Sequence, residues 1–132
     1  MIRDVVAVLV GGIVGTALRL GVDALVPHGD DGFPLSTLAV NTIGAFALGF
    51  LVARVWDRAT SWLRAGLGAG LLGSFTTFSA VAVSLVSLGQ AGQWMLAAGW
   101  LAATLVLGLT AAWLGIRLGR PRGQVAIDLV DE

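Results

Sequence analysis

Residues 66–79 read GLGAGLLGSFTTFS, from Gly66 to Ser79. Four glycines precede the cluster Phe75, Thr76, Thr77, Phe78 and Ser79, and all of it lies inside an apolar segment long enough to cross a bilayer. A lipid-facing anchor has no use for this composition. At membrane depth, backbone that leaves the helix is tolerated only where protein covers it or where it lines a watery cavity, because an unpaired amide in hydrocarbon costs several kcal/mol. The stretch therefore predicts a helix broken near Gly73 to Thr77 and, around the break, a pore or binding site.

The rest of the chain fits that setting. Of 132 residues 57% are hydrophobic and 12% charged, the composition of a membrane protein. There is no cysteine, so disulfides and thiolate chemistry are excluded. Eight basic residues balance eight acids, and a net charge of zero gives no reason to expect nucleic acid as a partner. Four apolar runs are expected to be spans within a single membrane domain: about 5–26, 35–55, 65–88 and 94–116, with a loop rich in turn formers at 27–34 and a polar, mobile tail at 117–132. Each has roughly the 20 residues that a ~30 Å hydrocarbon core requires. The fold class is thus an all-α, polytopic bundle with its third helix broken.

Small residues four apart at Gly11 and Gly15, Ala45 and Gly49, Gly66 and Gly70, and Gly108 and Ala112 predict close helix contacts. Trp56, Trp62, Trp94 and Trp113 fall near span ends, as interfacial anchors do, whereas Trp100 lies deeper. Arg3, Arg54, Arg58, Arg64, Arg117, Arg120 and Arg122 all fall on one side of a four-span chain, with Arg19 near the other. That bias predicts both termini in the cytoplasm.

Few side chains within the spans can do chemistry. Arg19, near the end of the first span, either snorkels and pairs with Asp23 one turn on, or draws anions into a vestibule. Asn41 is either interhelical glue or a donor toward a permeating ion. Phe75 and Phe78 are packing residues or, beside Thr76, Thr77 and Ser79, ring edges carrying the positive part of the aromatic quadrupole. Hydroxyl, amide and ring-edge donors together describe a path for a small anion. No acid or histidine lies in mid-span, where a proton-coupled transporter needs one. Nor does any serine have a base nearby in sequence, so enzymatic nucleophile chemistry is not expected.

Three motifs, GGIVGTALR at Gly11 to Arg19, STLAVNTIGAFALGF at Ser36 to Phe50 and GLLGSFTTFSA at Gly70 to Ala80, closely resemble those of the Fluc fluoride channels, also called CrcB proteins. Their order and spacing cover nearly the whole chain. The resemblance implies an antiparallel two-subunit channel in the cell membrane that passively exports fluoride to limit its cytoplasmic toxicity. It also implies a structural sodium ion at the dimer centre. By motif, Asn41 would donate to the ion, Phe75 and Phe78 would supply ring edges, Thr76 and Thr77 the hydroxyls, and Gly70 and Gly73 the carbonyls for sodium, while Arg19 matches the arginine that ends the first motif. The family usually shows two hydroxyls one turn apart in the fourth span. In this chain Thr104 is followed by Gly108, and Thr110 is preceded by Val106, so one hydroxyl of the pair is missing.

Two other classes compete with the channel: a small multidrug-type proton-coupled transporter, which the missing mid-span acid disfavours, and a non-conducting partner subunit, which leaves the TTFS cluster without a cause. The arginine bias has a further consequence. An antiparallel homodimer needs one chain to insert both ways, and so strong a bias fixes a single orientation. The expected partner is therefore an oppositely oriented paralogue in a heterodimer, with the antiparallel homodimer as the alternative.

Overall fold

The computed structural model describes residues 1–26 and 34–121, and the turn-rich loop and the tail from 122, with His28, Asp30, Asp31 and Arg122, lie outside the described residues. Helix α1 runs Ile2–Leu25 and α2 Leu35–Arg54; a 3₁₀ turn at Trp56–Arg58 leads to α3, Ser61–Arg64. A π-helix at Ala65–Leu72 continues it into α4, Gly73–Phe75, and after the break come α5, Phe78–Gln90, and α6, Trp94–Gly119. Counting 61–90 as one bent element, four helices among the described residues are long and apolar enough to cross a membrane. Among the described residues there is no strand.

The helices outrun the apolar runs that reveal them. The first begins at Ile2, the third at Ser61 and the last ends at Gly119, three residues past the expected end of the fourth span. Arg3, Asp4 and Arg117 end a hydropathy window, but their backbones still make helical bonds and their charges can reach the interface. Between α5 and α6 the chain reverses at Gly92, whose φ of +72° is the left-handed value that glycine adopts without steric cost. Gly92 N–H donates to the Gly89 carbonyl at 3.0 Å and Gln93 N–H to that of Leu88 at 2.9 Å, the paired bonds of a Schellman cap.

Glycine decides how the spans pack. A Cβ on Gly11 would collide with the Gly66 carbonyl, and one on Gly15 with that of Leu71, so α1 lies with its backbone directly on the π-helix. The same close approach joins α2 to α6: a Cβ on Gly49 would strike the Ala112 carbonyl, and one on Gly115 that of Phe46. Gly108 does not take part, having nothing within 4 Å. On α6 the buried small residues are Ala97, Ala111, Gly115 and Gly119, so the expected Gly108–Ala112 pair is corrected to a stripe one step round the helix. A small apolar core of Val81, Leu88, Ala97 and Trp100 ties α5 to α6. Elsewhere large apolar side chains such as Leu9, Ile13 and Leu109 face outward, the surface a bilayer-embedded bundle requires.

Candidate functional site

The break falls on two residues. Thr76, with φ −76° and ψ 156°, and Thr77, with φ −146° and ψ 120°, are extended between α4 and α5. Leaving the helix frees backbone groups that need partners. Thr76 donates twice to the Leu72 carbonyl, from N–H at 3.0 Å and from Oγ1 at 2.9 Å. Thr77 caps α5, its Oγ1 accepting from Ala80 N–H at 3.2 Å. That is an ordinary threonine N-cap.

The remaining groups of the break are taken by Asn41 on α2. Thr77 N–H donates to Asn41 Oδ1 at 2.8 Å, and Asn41 Nδ2 donates to the Thr77 carbonyl at 3.0 Å. The side-chain amide thus pairs with one residue's N–H and C=O as a neighbouring strand would. This explains how extended backbone is tolerated at this depth. Of the two roles the sequence left open, this is the interhelical one, and the pairing uses the acceptor and one N–H and leaves a second N–H on Nδ2. Gly44, one turn further along α2, must be glycine: a Cβ there would strike Thr76 Cγ2 and lie 3.5 Å from Phe75 Cδ1.

A cavity lies on each side of Thr77. The larger, about 640 Å³, is lined by Asn41, Thr76, Thr77, Phe78 and Thr104 together with Gly44, Gly68, Gly73, Trp56 and several apolar side chains, and among the described residues no charged one stands in its wall. The smaller, about 310 Å³, is lined by Arg19, Asp23, Thr37, Thr77, Ser79 and apolar neighbours. Thr77 Oγ1 and Ser79 Oγ share a hydrogen bond of 3.1 Å. Whichever of them donates, one hydroxyl proton of the pair stays free at the junction. Arg19 makes no ion pair with Asp23 among the described residues, so its charge in the smaller cavity is not cancelled by a direct contact.

Phe75 and Phe78 part company. Phe78 is 83% exposed on the wall of the larger cavity, whereas Phe75 is 7% exposed, packed beside Gly44 and outside both cavities. The two proposed carbonyl donors separate as well. Gly73 is exposed and lines the larger cavity. Gly70 is buried against Val8 and Gly11 of α1, and its carbonyl accepts the Gly73 N–H.

On α6, Thr104 faces the larger cavity and Thr110 is not among its lining residues. Thr104 Oγ1 donates to the Trp100 carbonyl at 2.9 Å, and rotation about Cβ–Oγ would redirect that proton at a cost of about 1 kcal/mol. One turn earlier stands a group that sequence reasoning did not assign. Trp100 is fully buried, and its Nε1 has no acceptor among the described residues. Its depth in the span and its spacing from Thr104 were the available signal. Trp56, expected at the membrane interface, lays its ring over Gly68 on the cavity wall. No sequence pattern announces that contact.

A family model described as "CrcB-like protein, Camphor Resistance (CrcB)" matches residues 6–116. A relative in Paracoccus denitrificans, "Fluoride-specific ion channel FluC", is 41% identical over 113 residues, covering 86% of this chain and 91% of the relative. "Fluoride-specific ion channel FluC 2" of Geobacillus kaustophilus is 36% identical over 124 residues, covering 92% and 96%. "Fluoride-specific ion channel FluC 1" of Mycobacterium tuberculosis is 37% identical over 120 residues, covering 89% and 91%.

Proposed function

Since the chain belongs to the CrcB family, we propose that it is a multi-pass membrane protein that conducts fluoride passively out of the cytoplasm. The observation that carries the reading is the break at Thr76 and Thr77, held by Asn41 between two cavities that Thr77 joins. Fluoride is small and strongly hydrated. Only a narrow path with fixed donors can replace its water, and neutral donors do so without the trapping strength of a buried cation. In the larger cavity those donors are the second N–H of Asn41, the exposed edge of Phe78 and, once rotated away from the Leu72 and Trp100 carbonyls, the hydroxyls of Thr76 and Thr104. Ser79 and Thr77 hand the ion across the junction, and Arg19 raises its concentration in the smaller cavity. Thr104 is the hydroxyl of the fourth span on this path, and Trp100, fully buried and outside the lining of both cavities, is a packing residue. Phe75 acts from the second rank, fixing the break against α2.

A sodium ion would be held by backbone carbonyls at the break, since hard cations take oxygen ligands. Gly73 fits: Thr77 N–H, the donor that a continuous helix sends to the Gly73 carbonyl, goes to Asn41 instead. Gly70 fits less well, being buried and already an acceptor. A cation at Gly73 would contribute a fixed positive charge and anchor a second subunit.

The partner is an oppositely oriented paralogue in an antiparallel arrangement. Arg3, Arg54, Arg58, Arg64, Arg117 and Arg120 lie at the end of the bundle where α1 begins and α2 and α6 finish, which orients that end, with both termini, toward the cytoplasm. Relatives bearing the names FluC 1 and FluC 2 agree with paired genes. Two experiments test the reading. Liposomes holding the chain with its partner should release fluoride without a proton gradient, and proton-driven cation uptake instead would replace the channel by a transporter. Expressed alone with a topology reporter at Glu132, the chain should report from the cytoplasm only; equal signal from both sides with fluoride efflux would remove the heterodimer.

A further inference from the structure

At the arginine-bearing end of the bundle, away from the break, a groove of about 520 Å³ runs between α1 and the start of α3, lined by Ile2, Arg3, Val6, Ala7, Val10 and Trp62. We infer that this groove binds one anionic glycerophospholipid of the surrounding leaflet, its phosphate on Arg3 and Trp62 and an acyl chain along Ile2, Val6 and Val10. The three aliphatic residues are spaced four apart on one helix face and are exposed. At about 1.5 Å per residue their ridge is about 12 Å long, most of the ~15 Å hydrocarbon depth of one leaflet.

Charge selects the occupant. Among the described residues no acid lines the groove. Asp4, next to Arg3, has both carboxylate oxygens engaged: Oδ2 lies 2.9 Å from the Met1 amino group, and Oδ1 accepts from Ser61 Oγ at 3.0 Å. Two other arginines at this end are committed, Arg64 Nε donating to the Ala59 carbonyl at 3.0 Å and Arg117 stacking 4.3 Å from the centre of the Trp113 ring, and Arg54, Arg58 and Arg120 do not line the groove. Arg3 has no such partner among the described residues and keeps a planar fork of donors that matches a phosphate. Trp62 adds an indole N–H at the same end, the amphipathic group that favours the headgroup zone. A zwitterionic lipid could fill the same shape, but a single interfacial arginine favours an anionic headgroup roughly fivefold.

Native mass spectrometry of the full chain, released from detergent micelles containing phosphatidylglycerol or phosphatidylcholine, tests this. The wild-type chain should retain one phosphatidylglycerol at least about fivefold more than phosphatidylcholine. Arg3→Gln should abolish that preference and Arg3→Lys should keep part of it. Val6→Trp, which fills the groove without changing charge, should lose retention of both lipids while circular dichroism stays helical. Equal retention of the two lipids by the wild-type chain would overturn the inference. So would undiminished phosphatidylglycerol in both Arg3→Gln and Val6→Trp, or a photoreactive side chain at Val10 that captures a second copy of the chain instead of lipid.

Discussion

Replacing Asn41 by aspartate separates the two tasks of this side chain. The carboxylate can still accept from Thr77 N–H, where the bond is 2.8 Å, but its second oxygen faces the Thr77 carbonyl at the 3.0 Å now bridged by Nδ2. An acceptor left without its donor costs about 1–3 kcal/mol. Flux should suffer more. A unit negative charge about 4 Å from a passing fluoride raises its energy by roughly 4 kcal/mol at an effective dielectric constant of 20, about three decades in rate. Asn41→Leu is the informative companion: it leaves both Thr77 groups unpaired, about 2–6 kcal/mol, yet adds no charge. Stability in detergent should therefore fall in the order wild type, Asp, Leu, while fluoride efflux measured by electrode from liposomes should be lowest for Asp. Efflux from Asn41→Asp within about threefold of wild type would show that the ion does not pass Asn41, and the reading of the cavity would fail with it.

Phe78→Ile should lower fluoride flux with little change in thermal stability, because the ring is exposed; Phe75→Ile should instead lower the melting temperature, an aromatic having been removed from its packed site beside Gly44. Gly15→Ala should destabilise by at least about 1–3 kcal/mol, since its methyl meets a carbonyl rather than a movable side chain, whereas Gly108→Ala should be neutral or stabilising by up to about 1 kcal/mol; chemical or thermal unfolding of the pair compares them directly. Trp100→Phe should leave flux unchanged and the melting temperature unchanged or raised, because it deletes a buried N–H without an acceptor; a clear fall in the melting temperature would show that the indole N–H stabilises the fold.

Much of the architecture was legible because hydrocarbon thickness fixes span length, and glycine followed by TTFS has no place in a plain span. The break was placed to within a residue or two. What escaped depends on long-range contacts. The Asn41–Thr77 pairing joins residues 36 apart, and an asparagine in a span reads alike whether its partner is an ion or a backbone. Small residues spaced four apart occur on more than one face of α6, so Gly108–Ala112 looked as good as the Ala111, Gly115 and Gly119 stripe that meets α2. Phe75 and Phe78, three apart, would share a face on an unbroken helix. The extended residues between them send one ring into the protein and the other out.

The π-helix at Ala65–Leu72 sets an angular phase. Each of its rungs closes on the fifth preceding residue, where an α-helix closes on the fourth, so the segment carries surplus residues for the turns it makes. Everything downstream inherits that offset. Removing one residue, at exposed Ala69 for example, would advance the remainder by about 100° and swing Thr77 away from Asn41. Many substitutions at such positions leave the count untouched. At an exposed position of the interval from Gly66 to Thr77, such as Ala69, the chain therefore behaves like a combination dial, on which the number of residues matters more than their identity, and an insertion or deletion there should be far less tolerated than an exchange.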